Sequence, residues 1–226
     1  MSNSSITLTS LANTLGISSL SEDTTPDISA DYVATYDASA GNNKKVKLVN
    51  IPGASMVLLS TATASSSATI DFTGLSSTYY TYILVYDGVA LATDAQALTM
   101  RVSTDGGSNY LSTNYNYWCH GVDDTTTRTE AVASSSGTYI SLSGATTEMG
   151  NAASEEASGM IRISNPSHSL VTRIFYENMN GDTATRICGR RGFGYNTTTS
   201  PINAIRILAT SGNIASGVFK LYGIKG

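Results

Sequence analysis

The sequence predicts an all-β protein: an antiparallel β-sandwich of jelly-roll type, preceded by an extended N-terminal arm and a β-hairpin. Three observations carry this. Short runs alternate apolar and polar residues, as in Thr69-Ile70-Asp71-Phe72, Leu98-Thr99-Met100-Arg101-Val102, Ile161-Arg162-Ile163 and Ile205-Arg206-Ile207. A period of two is that of a strand with one face in a core and one in water. No stretch keeps a helical period over three turns. Ser and Thr together number 62 of the 226 residues, against 4 Pro. Thr packs well on a pleated surface through its branched Cβ, and Ser suits the turns between strands.

Residues 1–30 are rich in Ser and Thr, with apolar residues only at spaced positions such as Ile6, Leu8, Leu11, Leu15, Ile17 and Leu20. That density is too low for independent folding, so the segment reads as an arm that orders on a partner. It has neither a basic start nor a continuous apolar run, and so does not read as a secretory signal. Residues 31–37 then alternate, 38–43 supply turn residues, and 44–49 alternate again, which predicts a hairpin. An isolated hairpin is marginal in water and needs a surface to pack on. Ile51-Pro52-Gly53 punctuates the chain, dividing an attachment segment (1–52) from a sandwich (53–226).

Beyond this point strands are expected over 57–63, 68–72, 81–87, 97–103, 138–142, 160–164, 171–178, 185–190, 204–209 and 217–224. Short strands in such number without intervening helices indicate a sandwich or barrel, and we read an eight-stranded jelly roll with added edge pieces. Residues 111–137 fit no strand and are expected to form a long loop. Connections of that length usually carry an interface or a binding role. Tyr115, Tyr117 and Trp118, with Asp123 and Asp124, are therefore its candidate contacts to a glycan or a protein, the aromatic rings for stacking and the carboxylates, with Asn114, for hydrogen bonds.

The charged fraction is 13%, about half of the usual 25% or so. The net charge is −4, and no basic run exceeds Lys44-Lys45 or Arg190-Arg191, so neither nucleic acid nor a membrane is an expected partner. No apolar stretch approaches the roughly 20 residues of a membrane span. Cys119 and Cys188 are too few for a disulfide scaffold and are expected as free thiols of a protein made in a reducing cytoplasm.

No catalytic set, metal site or cofactor is expected. Ser103-Thr104-Asp105-Gly106-Gly107-Ser108-Asn109-Tyr110 resembles the Asp-box of sialidase propellers, but it occurs once, and Asp with two Gly is also the chemistry of a tight turn. The carboxylates, Glu155-Glu156 among them, fall mostly in expected turns, where solvation is the default. Cys119 and His120 are adjacent, so on a strand they would point to opposite faces. The Gly189–Gly194 stretch, with Arg190-Arg191, reads as a hairpin tip or a basic patch. His168 sits in a turn.

Two segments carry a resemblance. Residues 31–50, with Tyr36-Asp37-Ala38-Ser39-Ala40-Gly41 and then Lys44-Lys45-Val46, resemble a module near the start of many phage virion, neck and tail-fibre proteins. Residues 61–72, 92–95, 100–110 and 211–224 are similar to structural proteins of tailed phages. The resemblance implies a β-sandwich that assembles as a trimer within a virion, as a capsid decoration or head fibre. Attachment to other virion proteins (capsid, collar or tail) would fall to residues 1–52, in particular Tyr32, Tyr36, Asp37, Lys44, Lys45 and Val46. A tail-fibre or adaptor module that binds a host-surface glycan is the alternative, and the expected location is the virion, after synthesis in the host cytoplasm.

Overall fold

A computed structural model of the chain describes residues 32–37, 39, 41–47, 56–125, 129–144 and 149–225. The arm expected over 1–30 lies outside these residues. The chain divides into two compact units, Met1–Ala54 and Ser55–Gly226.

In the first unit, β1 (Tyr32–Asp37) and β2 (Asn42–Lys47) form the expected antiparallel hairpin. Tyr32 lies opposite Lys47 and Asp37 opposite Asn42. Gly41, at φ 64°, takes the left-handed conformation that closes the turn. Lys45 holds its ammonium 4.6 Å from the centre of the exposed Tyr32 ring.

The second unit is a β-sandwich of two antiparallel sheets. Its strands are β3 (Met56–Ser67), β4 (Ile70–Thr73), β5 (Thr81–Leu91), β6 (Leu98–Ser103), β7 (Tyr115–Asp123), β8 (Thr129–Gly137) and β9 (Ile140–Ser141). They are followed by β10 (Ala157–Ser164), β11 (Arg173–Gly181), β12 (Ile187–Asn196), β13 (Ala204–Ala209) and β14 (Ile214–Ile224). The larger sheet has the order β3-β14-β5-β10-β11-β12-β7-β8, the smaller β4-β13-β6-β9. Within them, β3 pairs with β14, β4 with β13, β5 with β10 and β6 with β9. These four pairs are nested in sequence, outermost to innermost, like one long hairpin folded over between two layers. The hairpins β7–β8 and β11–β12 are insertions into that ribbon, and both extend the larger sheet on one side.

The core forms between the layers from the inward residues the alternation selected. Tyr82, Leu84, Tyr86, Ile161, Ile163 and Phe219 of the larger sheet meet Ile70, Phe72, Met100, Val102, Ile205 and Ile207 of the smaller. Each large side chain so buried is worth about 1.5–3 kcal/mol. Under the inserted strands the lining includes Ile140, Leu142 and Met149, and Arg190 of β12 donates from Nε to the Ser143 carbonyl at 3.1 Å.

Residues 111–137 depart from the expected loop, since most of them form β7 and β8. The alternation is present, but its chemistry is mixed on both faces. Tyr115, Tyr117, Cys119, Gly121 and Asp123 face inward while Trp118 and Val122 face out, so an apolar-in, polar-out template fails. The Gly189–Gly194 stretch is likewise the body of β12 and not a hairpin tip. There Arg190 is buried and Arg191 exposed. Glu155 also departs from expectation: it is buried, and its Oε2 accepts the Ala152 N–H at 2.7 Å.

Neither cysteine is in a disulfide, and both are buried. On the paired strands Cys119 faces Gly192 while Cys188 faces Asp123. That offset of four residues is about 13 Å along the strands, beyond the reach of about 7 Å for a disulfide. Migration on a denaturing gel is expected to be the same with and without reductant for protein unfolded in the presence of an alkylating reagent.

The 103–110 segment is a self-bonded turn. Ser103 Oγ donates to Asp105 Oδ1 at 2.7 Å and accepts the Gly107 N–H at 3.0 Å. Asp105 in turn accepts the Asn109 N–H and Nδ2 at 2.9 and 2.8 Å. Those bonds from Asn109, backbone first, hold the Asp105 carboxyl down at about 2, from an ordinary 3.8. A group depressed in this way contributes stability that is complete above its unfolded pKa and lost as pH falls through the folded one. A carboxyl-carbon NMR titration of Asp105 should therefore show a midpoint near 2, and Asn109→Ala should move it up toward the ordinary value.

Candidate functional site

Hydroxyl and carboxamide side chains do structural work inside the sandwich. Tyr115 Oη accepts the Val102 N–H at 2.8 Å and donates to the Leu111 carbonyl at 3.1 Å, tying β6 to the start of β7. Burial pushes its pKa up to about 12. Tyr115→Phe would leave Val102 without its partner in a buried place, at a cost of about 1–3 kcal/mol, readable as a lower unfolding midpoint. Tyr86 Oη donates to Asn178 Oδ1 (2.9 Å), Asn178 Nδ2 to Asn180 Oδ1 (2.9 Å) and Asn180 Nδ2 to the Gly181 carbonyl (3.0 Å). This chain spans β5 to β11 across β10. At the β11–β12 turn, burial works against the Asp182 carboxylate. Hydrogen bonds from the Arg186 side chain and from the Arg186 and Ala184 N–H groups outweigh it and hold its pKa below the ordinary value.

Strand alternation therefore separates the residues that the sequence grouped as one contact surface. Tyr115 and Tyr117 point into the core, and Asp123 is buried with Arg186 Nη1 3.8 Å from its Oδ2. Trp118 and Asp124 are exposed, Trp118 on the outer face of β7 and Asp124 in the turn after it. Of the attachment residues, Tyr32 and Lys45 share the ring–ammonium contact and Val46 lies opposite Val33. Tyr36, Asp37 and Lys44 hold ladder positions opposite Asn43, Asn42 and Thr35.

Trp118 keeps different company from that expected. It stacks on Phe193 of β12, with ring centres 5.7 Å apart, and on His120, at 6.0 Å. Around this stack the outer face of β10, β11, β12 and β7 exposes Met160, Phe175, Met179, Ile187 and Val122. Three of these strands, β11, β12 and β7, carry Asn178, Asn180, Arg190 and Asp123 on the inside, while β10 keeps Ile161 and Ile163 inward. Reversal of the usual polarity over several adjacent strands is the kind of local-rule violation that marks a working surface, and monomers rarely leave apolar side chains contiguous in this number.

The face is contoured. A shallow trough of about 540 Å³ lies among His120, Val122, Met160, Met179, Glu177 and Arg191. Gly189 opens it, since a side chain there would meet nothing within 4 Å. A second hollow of about 260 Å³ adjoins it, lined by Arg162, Phe175 and Gly192. Met160, Glu177 and Arg191 line both, with Arg191 Nη2 2.6 Å from Glu177 Oε1. That ion pair is solvent-exposed, so it orients the two side chains more than it stabilises the fold.

Among the described residues no group of three His, Cys, Asp or Glu is placed to hold a metal ion. No family model, curated protein or solved structure matched the chain.

The outer face was missed at the sequence level because its residues come from four strands and no linear motif unites them. Its one local trace is the mixed alternation of 115–123 and 187–196, which is visible once both segments are known to be strands.

Proposed function

We propose that the chain is a non-enzymatic structural component of a tailed-phage particle. On this reading the unit containing the β1–β2 hairpin attaches to other virion proteins, and the sandwich, a jelly roll with two inserted hairpins, is displayed as a trimer. The nested strand pairing supports the jelly-roll reading, and the sequence resemblance supports the virion. One structural observation carries the assembled state. β3 is a 12-residue edge strand without a single charged residue, and among the described residues it pairs only with β14. At the opposite edge β8 carries one charge, Glu130, in nine residues. Long uncharged edges invite pairing, and monomeric proteins blunt them with charge, proline or bulges; each edge here has one register shift, at Leu59 in β3 and between Ser134 and Gly137 in β8, which leaves most of β3 regular. An edge of this kind belongs in a subunit whose neighbours cover it. The full-length chain should have the mass of a trimer by light scattering. A monomer at every concentration tested would remove the assembled-subunit reading.

A second reading, that the displayed sandwich binds a host-surface glycan, is favoured by the Trp118–Phe193 stack. Flat exposed rings beside a trough with a carboxylate, a guanidinium and an imidazole suit a ligand with apolar faces and a hydroxylated rim. It is compatible with the first reading, because the stack lies on a sheet face and the open strands lie at the sheet edges.

A further inference from the structure

We propose that the outer face of the larger sheet takes an acidic glycan, with a sugar carboxylate held by Arg162 and sugar rings stacked along the neighbouring aromatic side chains. The proposal rests on the glycan reading and names its ligand class. Its starting point is a cross-strand row. Arg162 pairs with Phe175, Phe175 with Phe193 and Phe193 with Trp118 in the registers of β10, β11, β12 and β7. Side chains in one such row stand on one face, about 4.8 Å apart per strand. A cation thus begins a line of three exposed rings, and the Arg162 guanidinium lies 5.7 Å from the Phe175 ring centre.

Charge favours an acid. The whole chain carries −4, yet this face bears Arg162, Arg173, Arg191 and Lys220 against Glu177 and Asp87. Glu177 is already bound to Arg191, which leaves Arg162 and its ring neighbour to meet an incoming anion. The 260 Å³ hollow beside them falls just under the roughly 300 Å³ at which sites for drug-sized ligands begin, a scale that suits one sugar ring. The larger trough beyond the ion pair gives room for the next. A peptide is the poorer fit, since β10, β11, β12 and β7 are each paired on both sides and offer no strand edge to a peptide backbone.

The test is an array of sialylated, uronic-acid-containing and neutral glycans probed with the full-length protein, followed by titration of the best acidic ligand beside its carboxyl-methylated form. The acidic form is expected to bind at least tenfold more tightly. Arg162→Gln should abolish that preference, and Phe175→Ala should weaken both forms, with unfolding midpoints showing that each variant is folded. Equal binding of acidic and neutral sugars, or an Arg162→Gln variant that keeps the preference, would overturn the acidic-glycan proposal while leaving the glycan reading intact. Binding to no sugar would overturn both. An oligothymidylate bound in preference to every sugar would also overturn the proposal, assigning the cation and rings to single-stranded nucleic acid.

Discussion

Gly192→Ala is expected to lower the unfolding free energy by about 3 kcal/mol, the upper part of the range for overpacking a dense interior. Gly192 lies on the inner face of β12, where a Cβ would run into the Tyr176 ring and stand 2.6 Å from the Trp118 carbonyl oxygen. Neither can retreat. Tyr176 is buried, and the carbonyl belongs to the backbone of β7, which pairs with β12 through this stretch. Gly159 has the same function on β10, two strands away in the same sheet, where a Cβ would stand 2.5 Å from Tyr86 Oη. Each glycine makes room for the tyrosine directly opposite it on the neighbouring strand, Tyr176 and Tyr86. Gly189→Ala is the control, because that position opens to solvent with nothing within 4 Å. It should change stability by no more than about 0.5 kcal/mol, as expected of a surface substitution. Urea unfolding of the three proteins separates the effects, and a Gly192→Ala midpoint equal to wild type would mean that Tyr176 does not pack as described.

The second large effect concerns assembly. Placing lysine at both Thr61 and Thr63, exposed positions of the open edge strand β3, should convert the expected trimer to monomer while leaving the sandwich folded. Two cations on an edge repel a neighbouring strand, the device natural sheets use to stay apart. Loss of assembly, together with a cation at position 61 opposite Lys220 of β14, should lower the unfolding midpoint while a single cooperative transition remains. Light scattering beside thermal unfolding reads both quantities. A double variant that remained trimeric would move the subunit contact away from β3.

Where one face of a strand is apolar and the other polar, the sequence sufficed to find it. Ile70 and Phe72, Met100 and Val102, Ile161 and Ile163, Ile205 and Ile207 are all inward and buried. Residues 115–123 and 187–196 resisted the same reasoning because glycine, arginine and asparagine turn inward there while tryptophan, phenylalanine and isoleucine turn outward. Long-range structure explains the reversal. Inside, the glycines make room for tyrosine rings, and Arg190 reaches a backbone carbonyl on the segment after β9. Outside, Trp118, Phe193 and Phe175 stand exposed. Trp118 stood out in the sequence as an aromatic candidate, but Phe193, on which it stacks, and Phe175, the next ring in the row, lie more than fifty residues away in sequence and line up with it only through the order β11-β12-β7. Asp123 and Tyr115 were grouped with it by proximity in sequence alone, and a strand period of two sends them to the other face.

The role proposed for this chain is that of a building block of a phage particle, held by its N-terminal unit. Quantitative mass spectrometry of purified particles, from the phage encoding the chain and from the same phage with residues 32–47 deleted, tests it most directly. A fixed copy number divisible by three is expected in the first and loss of the protein from particles in the second, with the sandwich still folded in the lysate. Particles that are intact and contain none of the protein to begin with would contradict it.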